Sequence, residues 1–375
     1  MADNKDKKVL NVPALRFPEF TEEWESVLLE DVAEFQKKRI SSDLLNNSNY
    51  ISTENILQNF GGVQNSISIP ANTNVIEYQR GDVLLSNIRP YLKKVWLSDR
   101  HGGCSADVFV LRGNQCERRF LYYVIASDRF INFVMSDAKG VKMPRGDKSQ
   151  MEKFTFFIPT NVEQKKIAMF LSMLDERIRL QNKIIEDLKK LKSAIYQEIF
   201  GSLVAQTLEL GQVAEIIKGK QVNGTELLEQ GEYYVMNGGT TPSGWLNRYN
   251  TEANTISISE GGNSCGYVQY NTSRYWSGGH CYSLRILHPQ ETLDLYLYHF
   301  LKWQEDNIMA LRIGSGLPNI QKKDLLRFPV ILPVINKQKS IISILSVIDA
   351  KMACDILLTE HYVIQKKYLL RKLFI

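Results

Sequence analysis

Short apolar runs of strand length alternate with turn formers along the first part of the chain. Between about residues 20 and 160 they include Val83-Leu-Leu85, Lys94-Val-Trp-Leu97 and Val108-Phe-Val-Leu111, broken by Gly, Asn, Pro and Asp. Around residues 120–135, Leu121, Val124, Ile125, Phe130, Phe133 and Val134 recur at helical spacing and predict one helix. Residues 203–333 follow the same plan, with strands expected near 255–259, 266–270 and 282–287 and a helix near 293–307. Strands and helices do not alternate regularly as they do in a doubly wound sheet, so the class is α+β, with domains of mixed α/β type.

After Pro159 the period changes. Ile167, Leu171, Leu174, Ile178, Gln181, Ile185, Leu188, Lys192, Ile195 and Ile199 lie at alternating spacings of four and three, a heptad seam with two polar members. Neither Pro nor Gly interrupts residues 162–200, which predicts a helix of ~55 Å. The corresponding seam beyond Pro333 is Ile341, Leu345, Ile348, Met352, Asp355, Thr359, Tyr362, Lys366, Leu369 and Leu373. Its middle is weaker, and Ile356, Leu357, Leu358 and Val363 offer a shifted alternative. A long helix with one apolar stripe needs a partner. The other copy supplies one, packed antiparallel if a two-fold relates the halves.

That second seam belongs to a duplication. Gly140 and Pro144 answer Gly314 and Pro318, and Pro159 answers Pro333. Gln164-Lys165 answers Gln338-Lys339, and Asp175, Glu186, Lys192 and Phe200 answer Asp349, Glu360, Lys366 and Phe374. All these pairs keep one separation, 174 residues, over about sixty positions. Fainter echoes precede them: Leu29–Glu34 with Leu210–Glu215, Tyr50-Ile51 with Tyr234-Val235, and Asp82–Ser86 with Thr255–Ser259. Their drifting separation marks insertions and deletions in a part that diverged while the helix did not.

Composition adds little. Among 375 residues, 44% apolar and 23% charged are ordinary globular values, and a net charge of +5 permits a nucleic-acid partner without demanding one. The charged start Met1–Lys8 lacks a signal-like apolar core, and no apolar stretch approaches membrane-spanning length. Five scattered cysteines without a CxxC fit reduced thiols, so the chain reads as cytoplasmic with no membrane association.

The chain resembles the specificity subunit of type I restriction-modification systems over essentially its whole length. The family pattern is a variable domain, a Gly/Pro loop, an apolar strand, a proline, Glu/Lys-Gln and a long helix, all occurring twice. Here it stands as Phe154-Thr-Phe-Phe-Ile-Pro159 with Glu163-Gln164, and Phe328-Pro-Val-Ile-Leu-Pro333 with Lys337-Gln338. Leu15-Arg-Phe-Pro18 and Trp24 match the family's lead-in. The resemblance implies a lead-in (1–20), a target recognition domain (21–160), a central spacer helix (161–202), a second recognition domain (203–333) and a C-terminal spacer helix (334–375). The two helices would pack as an antiparallel coiled coil with pseudo-two-fold symmetry. It further implies double-stranded DNA read as a bipartite, asymmetric site. Methyltransferase (M) subunits and restriction/translocase (R) subunits would be the partners, and they would supply S-adenosylmethionine and ATP chemistry.

The residues themselves agree with a non-catalytic role. The chain has no P-loop, no amino-methyltransferase tetrapeptide and no strand–GxGxxG–helix, and no cofactor or metal is expected. Gly261-Gly-Asn-Ser-Cys-Gly266 reads as a hairpin loop, and His280-Cys281 with Cys265 as packing. Phosphate contacts give affinity and base edges give choice, so candidate DNA contacts lie where cations, amides and aromatics share loops. In the first half these are Lys37, Lys38, Arg39, Asn87, Arg89, Tyr91, Lys93, Lys94, Lys142 and Arg145, with Arg89 the leading base contact because its planar fork suits guanine. In the second half they are Lys218, Lys220, Asn237, Thr240, Trp245, Asn263, Ser264 and Arg312, the last in the stretch Arg312-Ile-Gly-Ser-Gly-Leu-Pro-Asn319. The same residues allow two other readings. A coiled-coil adaptor with protein-binding domains predicts no salt-dependent DNA affinity. A stand-alone DNA enzyme needs a catalytic domain for which no residues remain.

Overall fold

The computed structural model describes residues 11–136, 138, 143–314 and 316–374. The chain forms two compact units, Met1–Gln181 with Leu358–Ile375, and Asn182–Leu357. The first unit runs β1 (Glu25–Leu28), α1 (Leu29–Val32), β2 (Ala33–Phe35), β3 (Arg39–Ser41), β4 (Tyr50–Ile51), β5 (Asn74–Tyr78), β6 (Val83–Ser86), β7 (Val95–Leu97), β8 (Gly102–Cys104) and β9 (Val108–Gly113). It continues through α2 (Arg118–Ile125), α3 (Asp128–Ser136), α4 (Lys148–Glu152) and β10 (Thr155–Ile158) into the start of α5 (Asn161–Gly201).

β1 pairs antiparallel with β10, β2-β9-β6-β7 form an antiparallel sheet, and β3-β5-β8-β4 form a second sheet whose β4–β8 pair is parallel. The main core joins Trp24, Phe120, Phe130 and Phe154 to Leu171 of α5 and to Leu369 and Leu373 of α10 (Ile335–Lys372).

In the second unit come β11 (Gln206–Glu209), α6 (Leu210–Val213), β12 (Ala214–Lys218), β13 (Tyr233–Met236), β14 (Trp245–Leu246), β15 (Thr255–Ser259), β16 (Val268–Asn271), β17 (Trp276–Ser277) and β18 (Cys281–Ile286). They are followed by α7 (Asp294–Trp303), α8 (Glu305–Ala310), α9 (Lys322–Leu326), β19 (Pro329–Leu332) and the start of α10. β11–β19 repeats β1–β10, β12-β18-β15-β16 repeats the four-stranded antiparallel sheet, and β14-β13-β17 again contains one parallel pair. Its core gathers Tyr196 and Phe200 of α5, Ile341 and Leu345 of α10, and Tyr296, Leu297 and Phe300 of α7.

The duplication therefore holds for the antiparallel strand pair, the four-stranded sheet and the one parallel pair, while the second sheet has four strands in the first unit and three in the other. Two strand echoes fall in equivalent register, Leu29–Glu34 with Leu210–Glu215 and Val83–Ser86 with Ile256–Ser259. The third needs correcting by one residue. Tyr50 faces Gly103 as Val235 faces Trp276, so the partner of Tyr50-Ile51 is Val235-Met236, not Tyr234-Val235.

The helix expected over 120–135 is two, α2 and α3, because Ser127 Oγ accepts from the Phe130 N–H and starts a new helix. Likewise the helix expected over 293–307 breaks at Gln304 into α7 and α8.

Every seam position of α5 and α10 is buried or half-buried, while Ile356, Leu357, Leu358 and Val363 are exposed, so the unshifted heptad is the one used. Within the first unit Asp175 meets Lys366 and Arg177 meets the hydroxyl of Tyr362, an antiparallel progression. Within the second unit Lys192 pairs with Asp349. Asp175 and Asp349 are repeat equivalents, as are Lys192 and Lys366, so the two ion pairs are one interaction made twice.

Each long helix is seated by a buried glutamine. Gln164 Nε2 donates to the Pro159 carbonyl at 2.8 Å while its Oε1 accepts the Glu117 N–H, the N-cap of α2, at 2.8 Å. Gln338 does the same with Pro333 and Leu293, the N-cap of α7. Prolines cannot continue the strand ladder, and the glutamine five residues on uses the freed carbonyl to lock strand end, long helix and short helix together.

Candidate nucleic-acid interface

At the end of β6 the chain turns into a loop that is clamped to the segment before α4. The Arg89 N–H donates to the Pro144 carbonyl at 2.8 Å, Ile88 bridges Arg145, and the Gly146 N–H donates to the Asn87 carbonyl at 3.1 Å. The second unit repeats the clamp at the end of β15. Gly262 donates to Pro318 at 3.0 Å, Gly261 bridges Asn319, and Ile320 donates to Glu260 at 2.8 Å. Asn87 thus corresponds to Glu260, Arg89 to Gly262 and Arg145 to Asn319. Arg89 and Gly262 both adopt positive φ, 52° and 77°. For arginine that conformation is strained, and the clamp holds it.

Among the sequence candidates, Asn87, Arg89 and Arg145 are brought into this one loop cluster. Arg89 is exposed, and Arg145 lies 3.1 Å from Asp107. Tyr91, 47% exposed, follows them. Lys93 and Lys94 point elsewhere, Lys93 to the Asp128 carboxylate and Lys94 to the Thr53 carbonyl at 2.7 Å. The Lys93 ammonium holds the Asp128 carboxyl below its ordinary value.

Arg39 donates to the Asn74 carbonyl at 2.9 Å, and Lys38 lies 2.8 Å from Glu77, whose carboxyl it lowers together with His101. Lys37 is exposed. Lys142 lies outside the described residues.

In the second unit Asn263 is exposed and Ser264 half-buried in the β15–β16 hairpin, as expected of that glycine-rich loop, and Arg312 is exposed, one residue before Ile313, which bridges Asn319. Lys218 lies 2.8 Å from Glu260, while Lys220 and Thr240 are exposed. Asn237 accepts the His280 N–H at 3.1 Å, and half-buried Trp245 sits in β14. Sequence reasoning missed Asp107 and Glu260, the carboxylates that hold Arg145 and Lys218. The separation of 174 could have paired Arg145 with Asn319.

Burial raises the Cys104, Cys116 and Cys281 thiols, the last to about 11, so these sulfurs stay protonated and are poor nucleophiles. No group of three or more His, Cys, Asp or Glu among the described residues is placed to hold a metal. The surface around the clamped loops offers cations, amides and backbone turns.

The model of the type I restriction modification DNA specificity domain matches this chain twice, over residues 21–190 and 205–356. The chain belongs to that family. A Mycoplasma pneumoniae protein named as a type I specificity subunit is 38% identical over 144 residues, 38% of each chain. A Mycoplasma genitalium counterpart is 35% identical over 140 residues, 37% of this chain and 36% of that one. The matched segments thus span under two fifths of these relatives' lengths. The crystal structure of a type I S subunit from M. genitalium aligns over 97% of this chain and 99% of its own, with TM-score 0.69 at 20% identity. A chain from a type I R-M system aligns over 93% and 97%, with TM-score 0.55 at 20% identity. These likenesses establish the two-unit specificity-domain fold.

Proposed function

We propose that this chain is the DNA-reading specificity subunit of a type I restriction-modification complex, each unit reading one half of a bipartite site. The observation that carries the reading is the clamped loop pair, built twice in one chain on equivalent sheets and offering different side chains. Arg89 and Arg145 stand where the other unit has Gly262 and Asn319. Arginine forks suit guanine and asparagine suits adenine, so equivalent positions present different recognition chemistry, as an asymmetric site requires.

The spacer role falls to α5 and α10, whose seams pair within each unit. Methyltransferase subunits dock on the outer face of these helices. Phe170 and Met173 in one unit and their repeat equivalents Ile344 and Val347 in the other are exposed, Met173 at 63% and Val347 at 70%. Matched apolar positions on two equivalent rods suit two copies of one partner. Methylation, translocation and cleavage belong to M and R subunits, and the complex works on cellular DNA in the cytoplasm.

The deciding experiment replaces residues 20–155 with the corresponding segment of a relative and maps methylation in cells carrying the partner subunits. The expected result is a change in one half of the methylated motif only. An unchanged motif, or a change in both halves, overturns the assignment.

A further inference from the structure

The two readers differ at one buried place, and the difference is systematic. On the outer face of the first unit's main sheet, Leu84 stands between its register partners Val110 and Trp96, and Ile51, Ile56 and Tyr78 close over them as a second core. At the equivalent positions the second unit has Ser257 between Ser283 and Gln269. Nearby, Arg112 is drawn in by the buried Asp82, with two hydrogen bonds of 2.8 and 2.7 Å. Thr255 replaces that aspartate in the second unit, and Arg285, its side chain 70% exposed, turns out to Glu215 instead. Arg118, which in the first unit reaches over Gly81 to the Arg80 carbonyl, is replaced by Asp294. Apolar bulk thus gives way to Ser257, Ser283 and Gln269, and the arginine that folds inward in the first unit turns outward in the second.

Four of the exchanged or redirected residues, Thr255, Ser283, Arg285 and Asp294, line a cavity of roughly 560 Å³ bounded by β12, β15, β18, the 250–254 loop and the 289–294 segment. That volume falls within the ~300–1,000 Å³ of small-molecule sites. Ile217, Ile286 and Leu293 give it apolar surface, and Thr251, Thr255 and Ser283 border it with hydroxyls. Thr251 and Thr255 are half-buried, so their side chains keep surface open to an occupant. At one end stand Lys218 and Lys220. Glu260 balances Lys218, Glu215 balances Arg285 and Arg274 balances Glu252, which leaves Lys220 and Asp294 as the lining charges without an ion pair among the described residues. Asp294 accepts instead from the Tyr270 hydroxyl and the Leu295 N–H at the start of α7, and Lys220 is the cation that stays unpaired.

We propose that this cavity is a nucleotide site. Its apolar surface takes the flat face of a base, Thr251, Thr255 and Ser283 meet the hydrogen-bonding edge, and Lys220 meets the phosphate. The nucleotide comes either from the free pool or from the DNA strand, swung out of the stack.

Calorimetric titration of the full chain with each of the four deoxynucleoside 5′-monophosphates tests the site. Saturable binding at one site per chain is expected. The variant Thr255→Asp/Ser283→Val, which restores the first unit's filling, should weaken it at least about tenfold. Lys220→Ala should weaken monophosphates more than the unphosphorylated nucleosides, and it serves as the second variant should the double one not fold. Duplexes carrying 2-aminopurine at successive positions identify the source. An emission rise that the double variant abolishes means the DNA supplies the nucleotide, and free-nucleotide binding without such a rise means the pool does. Absence of both signals, or undiminished binding by a folded filled-cavity variant, overturns the proposal. Retention of the plain duplex is measured alongside, so loss of DNA reading as such is seen separately.

Discussion

Arg89 shows how one side chain is prepared at a cost to its own backbone. Its φ of 52° is a glycine conformation, and the equivalent residue of the second unit is Gly262. Arg89→Gly therefore removes the guanidinium while relieving strain, and thermal stability should hold or rise slightly. DNA affinity should fall by about 1–3 kcal/mol, with relaxed choice at one position of the first half-site. Filter binding at several salt concentrations together with methylation mapping checks this, and unchanged affinity and motif would remove Arg89 from the reading surface. His299 carries a second residue-level prediction. Burial first, then the nearby Lys192, lower its pKa to about 4, against a smaller opposing effect of Asp349, and the Tyr196 hydroxyl lies 2.9 Å from its Nδ1. The unfolded chain, with histidine near 6.5, binds the proton that the folded chain refuses. The stability of the second unit is therefore full above pH 6.5 and declines as pH falls from 6.5 to 4, by on the order of 3 kcal/mol. Denaturant unfolding across that range should show the slope, and His299→Gln should flatten it.

Between elements, the paired ions Asp175–Lys366 and Lys192–Asp349 fix the register of the helices at both ends of the repeat. Both are half-buried, so losing one partner costs more than a surface pair would. Lys192→Asp should lower the melting temperature of the full chain, and Lys192→Asp with Asp349→Lys should recover much of the loss. A double variant no better than the single one would show that the pair does not set register. These helices were the most legible part of the sequence, because a heptad is a local pattern and a constant separation of 174 residues exposed its copy. The second sheets were not legible. Their strands are as short as Tyr50-Ile51 and Trp276-Ser277, too brief to show an alternation, and a parallel partner more than forty residues away leaves no local trace. The break between α2 and α3 was missed because the apolar spacing runs through it, while Ser127 restarts the backbone hydrogen bonding. Lys93 and Lys94 were named for DNA since their chain neighbours are loop-like, but Asp128 and Thr53, distant in sequence, hold them.

At the scale of the whole molecule, the proposed reading of two half-sites by one chain requires that the chain also carry the ruler between them. The seam phase constrains how that ruler can be changed. Seven residues keep the heptad, and an insertion in one helix alone would slide its partner out of register. One heptad after Arg179 in α5 and one after His361 in α10 leave Asp175–Lys366 and Lys192–Asp349 each intact within its own unit. Seven residues of helix add about 10 Å, which corresponds to about three base pairs at the 3.4 Å rise of DNA. Methylation mapping of cells carrying the doubly extended chain should return both half-sites unaltered and a gap longer by about three base pairs. Because the insertion touches neither clamped loop, an altered half-site with the original gap would mean that spacing is set by something other than the helices.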